Sequence, residues 1–298
     1  MANTQALKRR IGSVKNTKQI TKAMELVAAS KMRKAQQAAL KTRAYRNTAR
    51  EILARLQSLN KASKSPYFDT RPINTKLYIV ISSDRGLAGA YNSNILRLFS
   101  KKLTEDQENN IESKAIVIGK TASNFAAKLD SLDLVGVYTD FKDDPTQQDI
   151  QPILSSAQEM FTSKQVDEVV TIYTDYKSSI SQIASTQQLL PAAIRDSETH
   201  EIIEETTKYV TDINDVKFEP SPEVVLERIV PKLIEAQLMQ SVLEAIASEH
   251  SMRMMAMKSA SDNASDLIDD LTLAFNSARQ AAITQELAEI TGGAAAVS

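Results

Sequence analysis

Residues Met257–Ala281 read MKSASDNASDLIDDLTLAFNSARQA, and Met257, Ala260, Ala264, Leu267, Leu271, Ala274, Ala278 and Ala281 recur in alternating steps of three and four residues. That spacing is the seam of a coiled coil, and the many alanines in it allow close helix approach. The stretch lies inside 60 residues, between Pro231 and Gly292, that hold neither glycine nor proline. A second such stretch, 53 residues long, separates Gly12 from Pro66. Both are rich in Ala, Leu, Met, Gln, Lys and Glu, the strong helix formers. In the first helix Leu7, Ile11 and Val14 are followed by Ile20, Met24 and Val27 and later by Ile52, Leu56 and Leu59, a looser register in which Ala28, Ala35 and Ala39 supply small contact positions. At 1.5 Å per residue the two stretches would reach roughly 80 and 90 Å. Neither can bury itself alone, so the economical arrangement pairs the two ends of the chain as an antiparallel coiled coil.

Between them the punctuation changes. Gly86, Gly89, Gly119 and Gly136 and most of the prolines fall between positions 66 and 222. β-rich apolar runs occur at Leu77–Asp84, Lys114–Gly119, Leu134–Phe141 and Glu168–Tyr176, with a fifth at Gln187–Pro191. Helical runs intervene at Asn92–Leu103, after Gly119, and at Ile150–Phe161, the last with Pro152 in its first turn. Strands alternating with helices imply a parallel or mostly parallel open sheet. The fold class is therefore α/β: a long antiparallel coiled coil of N- and C-terminal helices, with a small Rossmann-like open-sheet domain inserted between them. The expected segments are 1–65 for the first helix, 66–222 for the α/β domain and 223–298 for the second helix. Asp196–Pro222, acidic and closed by prolines, reads as a linker into the last helix.

Composition narrows the function. With no cysteine there is no disulfide, thiolate nucleophile or Cys-bound zinc. No uninterrupted apolar run is long enough to span a bilayer, and the opening MANTQALKRR lacks a secretory core. Net charge is −1, yet residues 1–60 carry fourteen Lys and Arg against only Glu25 and Glu51, so a basic arm offsets an acidic remainder. A transit peptide, a nucleic-acid arm and a shaft presenting positive charge to an acidic protein surface all answer that description. The shaft ranks first, because Lys8, Arg9, Arg10, Lys15, Lys18, Lys22, Lys31, Arg33 and Lys34 are interleaved with seam positions.

A catalytic centre is hard to find. Ser82–Asn92, SSDRGLAGAYN, follows a strand and opens a helix, but it matches neither the dinucleotide fingerprint nor the P-loop and reads as a tight turn. His200 and His250 are the only histidines, and neither has a second ligand at metal spacing; His250 is expected on a helix surface. Asp262, Asp266, Asp269 and Asp270 read as a solvated helix face. Met252, Met254, Met255 and Met257 read as core or an adaptable partner surface. No nucleophile–base pair stands at a supportable spacing, and no cofactor or metal is expected.

Three separated segments carry a resemblance. SVKNTKQITKAMELVAASKMRKAQ (Ser13–Gln36), the SSDRGLAGAYN loop, and the stretch from Ser248 to Ala296 resemble, in order, the gamma-subunit family of the F-type ATP synthase, across the whole chain. The resemblance implies a non-catalytic rotor shaft. It turns inside a hexamer of alternating alpha and beta subunits, with the globular portion against the epsilon subunit and the membrane c-ring. Ion flow through the ring would drive it, or ATP hydrolysis in reverse. It further implies that Arg279 and Gln280, with Thr284 and Glu286 nearby, meet a beta-subunit catch loop. Met24 would face the beta subunit's acidic lever, with Lys18, Lys22, Lys31 and Arg33 as partners of that acidic surface.

Further expectations follow. The chain would be a peripheral protein on the cytoplasmic face of a bacterial plasma membrane, held there through its complex. Gly292–Gly293 should end the last helix, leaving a small apolar tail suited to a bearing. Three positions depart from the family pattern: Ala88 stands where Cys is common, Gly12 interrupts the first helix, and Met252 replaces a smaller residue; the chloroplast branch's dithiol insert is absent as well. The rival reading is a basic coiled-coil protein that binds nucleic acid.

Overall fold

The computed structural model describes residues 2–57, 65–192 and 222–297. Helix α1 spans Ala2–Gln57 and crosses Gly12 without a break; a β-carbon there would meet nothing within 4 Å. At the other end α5 runs Pro222–Val297, starting on a proline whose missing N–H costs nothing in a first turn and continuing through Pro231. It also continues through Gly292 and Gly293, which were expected to stop it. Glycine costs a helix interior about 1 kcal/mol, and the following alanines extend the hydrogen-bond ladder at no penalty. The expected linker, Asp196–Pro222, lies outside the described residues except for Pro222, the first residue of α5.

The chain divides into two compact units. One is made of the two termini, residues 1–29 and 253–298, and here the first and last helices pack together as an antiparallel pair. The burial pattern corrects the expected seam. On α5 the covered positions are Met257, Ser261, Ala264, Ile268, Leu271, Phe275, Ala278 and Ala282, again in alternating steps of four and three. Of the eight expected positions Met257, Ala264, Leu271 and Ala278 lie among them and Ala260 is half-buried beside them, whereas Leu267, Ala274 and Ala281 are exposed, one residue out of phase, because the larger Ile268 and Phe275 take the inward positions. On α1 the heptad positions covered in this unit are Thr4, Leu7, Ile11, Val14, Lys18, Thr21, Glu25 and Ala28, with Met24, read as a seam residue, half-buried beside them. Ile20 and Val27, read as seam residues, are more than half exposed. The heptad is strict, but three consecutive positions in it are polar, which hides it from a search for apolar residues.

The second unit, residues 30–252, holds the sheet. Its strands are β1 Thr75–Ile81, β2 Glu112–Ile118, β3 Asp133–Tyr138, β4 Glu168–Tyr176 and β5 Gln182–Leu190, and its helices are α2 Tyr91–Glu108, α3 Lys120–Ala126 and α4 Gln147–Thr162. The sheet order is β3-β2-β1-β4-β5, with the first four strands parallel and β5 antiparallel at the edge. Each element of the expected middle is present. The fifth strand is longer than expected, because Gln182–Thr186, in which only Ile183 and Ala184 are apolar, also pairs along β4. Helix α4 starts earlier than expected. Thr146 and Asp149 close a capping box, which puts Pro152 in the second turn instead of the first.

Both faces of the sheet are covered. On one, Tyr78, Val80, Ala115, Val117 and Ile172 pack with Ile95, Phe99, Ala122 and Ala126 of α2 and α3. On the other, Leu77, Ile79, Ile116, Ile118 and Val169 pack with α4 and with Val230, Leu233, Ile234, Leu238, Val242 and Ile246 of α5. Central β1 is therefore apolar on both sides, as a buried parallel strand must be, whereas edge strand β3 alternates between half-buried and exposed. From Gln240 to Ser248 every residue of α5 is buried. Its polar members are bonded: Gln240 donates to Glu244 and accepts from Thr42, and the Ser248 hydroxyl donates to the Thr174 carbonyl.

The amino ends of the strands are closed by Arg71. Its guanidinium, 15% exposed, donates to Asp167 at 2.5 Å, to Asp69, and to the carbonyls of Phe161 and Val166, and it lies over the Phe161 ring. Asp167 also accepts from the backbone N–H groups of Asn74 and Thr75. Burial pushes the Asp167 carboxyl up, but the Asn74 and Thr75 N–H groups and Arg71 outweigh it and hold the group below the ordinary aspartate value.

Candidate partner interface

The carboxyl ends of the strands are where a doubly wound sheet takes a ligand, and the Ser82–Asn92 loop lies there, after β1. Ser82, Ser83, Asp84 and Asn92 in it bond within the chain. Ser82 Oγ bridges the Ile118 carbonyl and the Ala122 N–H, Ser83 Oγ donates to the Arg85 carbonyl, and Asn92 accepts the Ser83 N–H. The Asp84 carboxylate accepts from the N–H groups of Lys120 and Phe141 and so joins three loops. Gly119 is required here, since with φ +97° an added β-carbon would sit 2.3 Å from the Ser82 carbonyl oxygen. The left-handed residues of the loop are Leu87 and Gly89, at φ 64° and 57°. At the carboxyl end of β4, α5 is bonded directly through Ser251, whose hydroxyl donates to the Ser179 carbonyl. The loop is thus a structural turn, as expected.

The histidine expected on a helix surface is in fact buried. His250 is 3% exposed and donates Nε2–H to Asp143 Oδ1 at 2.7 Å. Sequence periodicity cannot show this, because the partner lies 107 residues away. His200 falls outside the described residues. Asp262, Asp266, Asp269 and Asp270 are all exposed, and no group of three potential metal ligands occurs among the described residues. No described helix is long and apolar enough to cross a membrane.

The residues expected to meet partners lie on the two terminal helices. Lys18 is half-buried in the seam, while Lys22 and Met24 lie on opposite flanks of it. Lys22 is engaged with Glu25, three residues on, at 2.9 Å. Arg279, Gln280, Thr284 and Glu286 are all exposed. Arg279 and Glu286, seven residues apart, share one flank of α5. Gln280 and Thr284, four apart and linked by the Thr284 hydroxyl donating to the Gln280 carbonyl at 3.0 Å, share the side away from the seam. Lys31, also expected to face a partner, is instead paired within the chain to Asp143 at 2.6 Å. Sequence reasoning placed Ile20 and Val27 in the seam and missed the other apolar residues off it. Ile20, Leu26 and Val27 on α1, and Leu273, Ile283, Leu287 and Ile290 on α5, are exposed. For Leu26, Leu273, Ile283, Leu287 and Ile290 the signal was present, as leucines and isoleucines outside the expected register.

Comparison with known proteins agrees with this layout. The ATP synthase family model matches residues 3–297. The ATP synthase gamma chain of Brevibacillus brevis is 41% identical over 288 residues, covering 97% of this chain and 96% of that one. The gamma chain of Psychrobacter cryohalolentis is 36% identical over 301 residues, covering both chains completely. Among solved structures, the central stalk and c-ring of the Tetrahymena thermophila mitochondrial ATP synthase contains a chain that superposes with a TM-score of 0.60 at 25% identity, over 81% of this chain and 99% of that chain. A chain of the Euglena gracilis mitochondrial enzyme in rotational state 3 shares the fold, with a TM-score of 0.68 at 19% identity, over 99% of this chain and 95% of that chain. The chain belongs to the ATP synthase gamma-chain family, as a non-catalytic rotor subunit.

Proposed function

We propose that the terminal helix pair is the shaft that turns within a hexamer of alpha and beta subunits, and that the sheet unit receives the drive from the epsilon subunit and the membrane c-ring. The observation that carries this reading is the surface of the pair. Each helix covers about two positions per heptad, while Leu273, Leu287 and Ile290 are each more than half exposed among charged neighbours. Such a surface is suited to a surrounding sleeve that touches it weakly on every side.

Within that reading Met24, Lys18 and Lys22 meet an acidic lever of the beta subunit, and Arg279, Gln280, Thr284 and Glu286 meet its catch loop. Exposed single ion pairs are worth only about 0–1 kcal/mol. Shallow contacts of that size suit a shaft that must leave each beta subunit in turn. The chain would act at the cytoplasmic face of a bacterial plasma membrane, held there by its partners.

The test is reconstitution with alpha and beta subunits and observation of a bead attached to the sheet unit. ATP-dependent rotation, and isolation of the chain with alpha and beta subunits in 1:3:3 proportion, are expected. A complex that hydrolyses ATP while the bead only diffuses would refute the shaft reading.

A further inference from the structure

Within the sheet unit, the loop from Thr139 to Thr146 is anchored at both ends. At its entry the Phe141 N–H donates to Asp84 at 3.2 Å; at its exit Pro145 is buried and the Thr146–Asp149 capping box fixes the first turn of α4. The loop carries three paired carboxylates, Asp140, Asp143 and Asp144. Asp140 pairs with Lys120 at the start of α3 at 2.8 Å, and Asp144 pairs with Lys34 of α1 at 2.8 Å. Asp143 takes two partners at once: Oδ2 meets Lys31 of α1 at 2.6 Å and Oδ1 accepts from His250 of α5 at 2.7 Å.

These contacts differ in strength. The Asp144–Lys34 pair is more than two-thirds exposed on both sides, where water screens it. Asp143 is tied to a histidine side chain that is only 4% exposed, so one end of its bridge is fixed inside the unit. Burial pushes the Asp143 carboxyl up, but Lys31 and His250 together hold it below the ordinary aspartate value, as expected for a carboxylate that stays charged between two donors.

We infer that Asp143 is a positioning residue for torque transfer, the point at which the sheet unit grips both long helices through one side chain. The inference rests on the shaft reading. A drive applied to the sheet must pass to α1 and α5 without slip. A carboxylate bonded to both helices, on a loop held at both ends, resists sliding of either helix past the sheet edge.

The experiment is the assembled complex with alpha and beta subunits, a bead on the sheet unit, and the angular spread of that bead during the pause before each ATP-driven step. The chain has no cysteine, so Lys101→Cys on α2, whose side chain is 72% exposed, supplies one attachment point in it. Asp143→Ala should widen the spread and lower the torque at which rotation stalls, while speed at low load stays unchanged. Asp143→Glu should recover part of the narrow spread. Lys31→Met should widen it as well, and the double variant should be no wider than Asp143→Ala alone, because both remove the same bridge. Lys31 is about half exposed, so Lys31→Met carries the test even where Asp143→Ala fails to fold. An unchanged spread in Asp143→Ala or Lys31→Met, or simple addition in the double variant, overturns the inference. A parent complex that does not rotate at all overturns the shaft reading instead.

Discussion

Helix α5 lives in two environments. From Val230 to Ser251 it is enclosed by sheet and helices, and its polar groups are bonded inside the unit. From Met254 to Thr291 it covers about two positions per heptad and leaves the rest to solvent, leucines and isoleucines included. One sequence thus serves as core and as surface within a single uninterrupted helix. The enclosed half has the economy of a domain interior, where each side chain is held by many neighbours. The open half is held by its partner helix along one seam, and Leu273, Ile283, Leu287 and Ile290 lie exposed off it.

Substitutions can break or sharpen that contrast. The largest effect belongs to the enclosed unit's polar clasp. Arg71→Met leaves Asp167 without its guanidinium partner and should lower stability by about 3–5 kcal/mol, read as an earlier urea midpoint for the full chain. Leu238→Ala, at a fully buried α5 position, should cost about 2–5 kcal/mol in the same measurement. A pair of variants then tests the corrected seam. Phe275→Ala, half-buried, should cost about 1–2 kcal/mol, whereas Leu273→Ala, 70% exposed and two residues away, should stay within about 0.5 kcal/mol by thermal unfolding. The reverse ranking would restore the seam through Leu267 and Ala274.

The smallest effect is electrostatic. Asp149 is held below the ordinary aspartate value by the Thr146 N–H and hydroxyl, with Lys142 assisting. Its contribution is therefore complete above the unfolded value, near pH 3.9, and is lost as pH falls through the lower folded value. Asp149→Asn should remove that part of the acid-side slope in a plot of melting temperature against pH, and an unaltered slope would show that the box does not act through charge.

Much of the fold was legible in the sequence because each signal was local. The strand Glu168–Tyr176 is found where it was read, since a continuous β-branched and aromatic run needs no outside information. The coiled coil was legible as a period, but its phase was not. Choosing between Leu267 and Ile268, or Ala274 and Phe275, requires knowing which side the partner occupies, and the period is the same for both. The α1 seam was obscured for a different reason, because Lys18, Thr21 and Glu25 sit where apolar residues were sought. Of the candidate contacts, exposure of Arg279, Gln280, Thr284 and Glu286 could be anticipated from polarity. The burial of His250 and the capture of Lys31 could not, since both depend on Asp143, more than a hundred residues from each.

The polar run in the α1 seam has a mechanical meaning. Lys18, Thr21 and Glu25 remove little hydrocarbon from water, so this part of the two-helix pair gains less from zippering than the part lined by Leu7, Ile11 and Val14. Stiffness there has to be lent by whatever encloses it, which makes it the natural place for the pair to flex when twisted.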